Sequence, residues 1–91
     1  PLLMLNPLNN GRIDQINVKS PDQLMHIFKD EKVDYVFATD EIRRYTYALP
    51  KTSPFSVVYR PMTENLDLLI KEGRLKAVLR SGDFWLYKIN G

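Results

Sequence analysis

The chain of 91 residues contains no cysteine. That absence removes disulfide staples, thiolate nucleophiles and thiolate metal ligands together. It leaves the compartment open, because exported proteins can also lack cysteine. Histidine is nearly missing as well. His26 stands alone, so a histidine-based metal cluster cannot be built, and imidazole chemistry would rest on one side chain placed on the polar side of a predicted helix. No run approaches the roughly 18 apolar residues that cross a bilayer. The four glycines, Gly11, Gly73, Gly82 and Gly91, are too dispersed for a phosphate-cradling loop. A strong charge of one sign is lacking too: the formal net charge is +2, and Arg43-Arg44 is the only adjacent basic pair, so no strong nucleic-acid signal emerges. There are no internal repeats, and no stretch of these residues has the pattern of a secretory leader, a segment that processing removes. The first residue is Pro1 rather than methionine, which gives the expectation of a processed product or a part of a longer chain.

What is present belongs to the ordinary globular class. With 44% hydrophobic and 26% charged residues, positions 1–91 read as a single small α/β domain with a modest core. Its organising stretch is Val33–Tyr47, VDYVFATDEIRRYTY. Tyr35-Val36-Phe37-Ala38-Thr39 is apolar, aromatic and β-branched without strict alternation, which predicts a strand covered on both faces. A helix is predicted on either side, the order expected of a sheet lying between helices.

Upstream, Leu2–Leu5 reads as a short edge strand. Asn6–Gly11 is turn chemistry, and Ile13–Val18 is predicted as the strand that completes a hairpin. Ser20 precedes Pro21 with Gln23 three residues on, a capping box opening a helix over Pro21–Asp30 with Leu24, Ile27 and Phe28 on one face. Glu41–Leu49 is predicted helical, capped by Thr39 or Asp40 and stopped by Pro50. Phe55–Tyr59, FSVVY, reads as a further strand. A helix is expected from an N-cap at Thr63 to Gly73, where glycine can take the left-handed C-terminal conformation. Arg74–Arg80 then reads as another helical turn or two, and Phe84–Ile89 as a last strand or an apolar tail. The fold class is therefore α/β, a small mixed sheet with packed helices in two or three layers.

Few residues are arranged for chemistry. Asp40 follows a buried strand, at the carboxyl end where open α/β sheets place ligands. It either caps the next helix or accepts hydrogen bonds from an amino group of a ligand, and the two roles are compatible. Arg43 and Arg44 fit solvated helix charges. Tyr45, Tyr47, Phe84, Trp85 and Tyr87 fit core closure or an aromatic surface.

The segment KSPDQLMHIFKDEKVDYVFATDEIRRYTY resembles the second lobe of the type 2, amino-acid-type periplasmic solute-binding proteins. SPFSVVYRP followed by NLDLLIKEGRLKAVL is similar to a later strand and helical segment of that lobe. The resemblance implies two α/β lobes closing over a small polar molecule such as an amino acid. The aspartate matching Asp40 would hold the ligand's amino group. The residues matching Ser20–Gln23 line the cleft in some members, which makes Ser20 a weaker second ligand-binding candidate. The opposing arginine and aromatic clamp would come from a second lobe or a larger parent protein. Neither metal, cofactor nor catalytic residue is implied, and the compartment would be periplasmic or extracellular.

The expected function is thus non-catalytic recognition of a small polar or amino-bearing solute, as one lobe of a transport or sensory binding protein. The alternative is a structural or protein–protein interaction domain of a larger protein, distinguished by an uncovered aromatic or aliphatic patch around Phe84–Ile89. A small enzyme would need a second carboxylate beside Asp40, such as Asp14 or Asp83.

Overall fold

A computed structural model describes residues 2–4 and 17–90. The expected turn at Asn6–Gly11 and most of the expected strand Ile13–Val18 lie outside the described residues. Of that strand, Asn17 is in a turn and Val18 is in irregular backbone.

Ser20 opens α1 (Pro21–Asp30) as its sequence predicts. The Ser20 hydroxyl accepts from Gln23 N–H at 3.0 Å, and the Gln23 side chain accepts from Lys19 N–H at 2.6 Å. The first bond satisfies an orphan amide of the first turn, and the second ties Gln23 back to the residue before the cap, a capping box shifted by one position on its return bond. At the other end Lys32 adopts φ 55. Its N–H and that of Val33 turn back to the Lys29 and Phe28 carbonyls at 3.2 and 2.8 Å. This is a Schellman closure with lysine in the left-handed position usually held by glycine, and it packs Val33 beside Phe28.

The chain then enters β2 (Tyr35–Thr39) and passes directly into α2 (Asp40–Ala48). From here the structure departs from expectation. FSVVY is not a strand: it forms the first turns of α3 (Pro54–Lys71), capped by Ser53, with Thr63 buried inside the helix rather than at its start. Pro61 within α3 forfeits a ladder hydrogen bond, a cost of about 3 kcal/mol. Tyr59, Met62, Leu66 and Leu69 form a buried stripe through the helix. Each such side chain contributes about 1.5–3 kcal/mol on burial, so the stripe outweighs both the proline and the β preference of FSVVY.

Gly73, at φ 77, closes α3 with a second Schellman turn, Gly73 N–H to Ile70 O and Arg74 N–H to Leu69 O. The expected helical turns over Arg74–Arg80 are instead β3 (Leu75–Ser81), joined to β4 (Phe84–Ile89). Ser81 pairs with Phe84, which leaves a two-residue loop. Gly82 takes its first position with φ 58, as type II′ hairpin turns require.

The strands form a mixed sheet in the order β1-β2-β4-β3, where β1 (Leu2–Met4) is an edge strand parallel to β2 and the other neighbours are antiparallel. One face of the sheet meets the helices. Val36, Ala38, Leu75 and Tyr87 join Leu24 and Phe28 of α1 and Met62, Leu66 and Leu69 of α3 in a single core, with Trp85 and Ile89 at its margin. Phe37, Leu79, Phe84 and Leu86 take no part in that core. The expectation that β2 is covered on both faces is therefore corrected: among the described residues the helices cover one face, and burial alternates along β2 although polarity does not.

Candidate functional site

Two regions gather the side chains that could serve a function: the carboxyl rim of β2 and the open face of the sheet. At the rim, the Thr39 hydroxyl caps α2, accepting from Ile42 N–H at 3.3 Å. Asp40 is thus released from capping. Its amide donates to the Asp83 carbonyl at 2.9 Å, tying the end of β2 to the β3–β4 turn. Its carboxylate accepts from the Trp85 indole N–H at 2.8 Å. The Arg43 and Arg80 guanidinium groups approach it at 3.6 and 4.0 Å. Arg80 also lies over the Trp85 ring, 4.4 Å from its centroid.

Behind Asp40 the network continues inward. Arg43 donates through Nε to Asp67 at 2.9 Å and through Nη2 to the Tyr87 hydroxyl at 3.4 Å. Burial works against the Arg43 charge, but the Tyr87 hydrogen bond and the Asp67 carboxylate together outweigh it and raise the guanidinium pKa. Tyr47 donates its hydroxyl to the other oxygen of Asp67. Burial first, and then the Asp67 bond and charge, raise the Tyr47 phenol above its ordinary value. Burial alone raises Tyr59. Two carboxylates and two guanidinium groups thus balance within a hydrogen-bonded cluster, an arrangement that holds α2, α3 and β4 in register.

A phenol whose pKa is higher in the folded state stabilises the fold fully below its unfolded value near 10, and that stabilisation fades as pH rises through the folded value. Stability should accordingly fall from about pH 10 upward. Tyr47→Phe should flatten that decline, leaving the part due to Tyr59. Urea unfolding from pH 7 to 11 measures it, and equal slopes in both proteins would refute the coupling.

Ser20 and Asp40 are not brought together. Asp22, in the first turn of α1, pairs with Arg74 just before β3, at the sheet end where Leu75 meets Ile89. Asp40 bonds Asp83 at the opposite end. Ser20 is engaged in its cap. Clefts of about 870 and 480 Å³ open on the described surface. The larger lies between α1 and the sheet end formed by Tyr35 and Lys88, and neither cleft is lined by Asp40 or Ser20. His26 is exposed and sits 3.3 Å from Asp30. Among the described residues no cluster of histidine and carboxylate side chains is placed to hold a metal. None of the described helices is long and apolar enough to cross a membrane.

The open face is the feature that residue-by-residue reading did not assemble. Its rows follow from the register: Tyr35, Lys88 and Lys76; Phe37, Leu86 and Leu79; Thr39, Phe84 and Ser81. Leu79 is 62% exposed, Phe84 49% and Tyr35 38%, and Phe37 stacks on Phe84 with ring centroids 5.3 Å apart. The signal was the missing alternation in YVFAT, which places apolar groups on both sides of one strand. Neither a family model, a curated protein nor a solved structure matches this chain.

Proposed function

We propose that this chain is a non-catalytic interaction domain of a larger protein, docking a further protein layer on the open face of its sheet. The carrying observation is the contiguous apolar surface of Phe37, Leu79, Phe84 and Leu86, which stands outside the core although three strands contribute to its neighbourhood. Apolar groups concentrated on one face mark contact surfaces, whereas apolar residues scattered singly do not. A sheet that is apolar on both sides is completed by a second layer.

A second reading, recognition of a small polar or amino-bearing solute with Asp40 as acceptor, is favoured by the partial exposure of that carboxylate at the end of β2. A solute amino group would have to compete there with Trp85, Arg43 and Arg80.

One titration distinguishes the two. Amide shifts of the chain are followed with a synthetic leucine-faced amphipathic helix of about five turns, and separately with a panel of free amino acids. Docking predicts shifts on Phe37, Leu79, Phe84 and Leu86 with the peptide, abolished in Leu79→Asp and Phe84→Ser. Those substitutions should change folding stability by less than about 1 kcal/mol. Amino-acid shifts centred on Asp40 and lost in Asp40→Asn would transfer the function to the solute reading.

A further inference from the structure

We infer that the layer docked on this face is an amphipathic helix bearing carboxylates, its apolar stripe over Phe37, Leu86, Leu79 and Phe84 and its acidic side chains at Lys76 and Lys88. This rests on the docking reading above and adds the chemistry of the partner. Register sets Lys76 directly opposite Lys88 on the outward side of an antiparallel pair. Two ammonium groups so placed repel each other, and a carboxylate set between them relieves the repulsion. The adjoining cleft of about 870 Å³ shares Tyr35 and Lys88 with the face and adds Lys29 and Arg74. Arg74 of that cleft is paired with both Asp22 and Glu72, and Asp34 adds a further carboxylate, so the cationic character of this end of the face rests on Lys76 and Lys88. The opposite row, Thr39, Phe84 and Ser81, carries no charge. The face is therefore polarised, apolar along its middle and cationic at one end.

A helix fits this surface better than an added strand. β3, the edge strand beside this face's aliphatic row among the described residues, carries Lys76 and Arg80 and a register shift between Ala77 and Leu79, features that discourage strand addition. It also fits better than single-stranded nucleic acid. Phe37 and Phe84 stack on each other, the middle of the face is aliphatic, and the lysines cluster at one end instead of tracking a phosphate backbone. A second copy packed face to face about a two-fold axis along the strands would set lysine row against lysine row.

The test compares two synthetic amphipathic helices with the same leucine face, one flanked by glutamate and one by lysine. At low salt the full chain should bind the glutamate peptide at least about tenfold more tightly, and the preference should shrink as salt is added. The double variant Lys76→Glu/Lys88→Glu should reverse the preference, with its amide spectrum confirming that it folds. Equal binding of both peptides would overturn the acidic partner while leaving the docking reading standing. Binding of neither would overturn both. Tighter binding of an oligothymidine that shifts the same amides, or dimerisation in sedimentation that Leu79→Asp abolishes, would each overturn the inference in favour of a different occupant.

Discussion

Replacing Phe28 by alanine is expected to lower the unfolding free energy by about 3–5 kcal/mol. The ring is 1% exposed in the core formed by α1, α3 and the helix-facing side of the sheet. Truncation removes its transfer free energy and leaves a cavity, because the site is framed by elements that cannot all close on it at once. On one side Phe28 belongs to the Schellman turn, its carbonyl receiving Val33 N–H. On the other α1 packs against α3. A domain of this size has a total stability on the order of 5–15 kcal/mol, so one ring accounts for a large share. The denaturation midpoint should fall while the slope stays constant. Phe84→Ala, at a half-exposed ring on the open face, is the control, and its cost should stay near 1 kcal/mol. Equal losses at the two phenylalanines would mean that the open face is as much a part of the fold as the core.

That contrast also shows which parts of the architecture were legible in the order of residues. Ser20-Pro21 with Gln23 announced α1 because capping is settled within a few residues: Ser20 caps Gln23 N–H, and the Gln23 side chain reaches back to Lys19 N–H, one residue before the cap. The same Ser-Pro signal recurs at Ser53-Pro54 and opens α3, but it was masked by the β-branched and aromatic run that follows. What decides that segment is the stripe Tyr59, Met62, Leu66, Leu69, visible only when FSVVY and the residues after Pro61 are taken as one element. In β3, Leu75, Val78 and Leu79 mimic helical spacing, yet only Leu75 is buried. The Gly82 turn and pairing with β4 fix its conformation. Asp40 stands at the rim of β2 as read, and the mixed α/β sheet is as expected. Arg43 is a local i,i+3 partner of Asp40, but Arg80 and Trp85 arrive from β3 and β4, Trp85 being 45 positions along the chain, a convergence no local spacing encodes. The apolar run of β2 was plain from the start. That one of its faces is left uncovered by the described helices depends on where those three helices pack, which is a tertiary outcome.

Arg60→Ala is expected to cost about 2–4 kcal/mol, from charged hydrogen bonds of about 1.5–3 kcal/mol and a helix-end contribution of about 0.3–1 kcal/mol. α2 has no basic residue in its last turn, so nothing within the helix offsets the negative end of its dipole. Arg60 reaches across from α3 and supplies that charge. One guanidinium nitrogen donates to the Thr46 carbonyl at 2.6 Å and to the Leu49 carbonyl at 3.2 Å, while the other donates to Glu64 at 3.1 Å. The side chain is 15% exposed, so water cannot readily replace it at those carbonyls. The loss is therefore largely that of leaving acceptors unpaired. Glu64 is far more exposed, and Glu64→Gln should cost less than about 1 kcal/mol. Arg60→Lys keeps the charge but not the planar fork that reaches the two carbonyls with one nitrogen and Glu64 with the other, and should recover only part of the loss. Hydrogen exchange at the Leu49 amide, which closes α2 on Tyr45, should accelerate in Arg60→Ala. A full rescue by lysine would assign the effect to charge alone. A loss below about 1 kcal/mol with unchanged exchange would remove Arg60 as the clasp between α2 and α3.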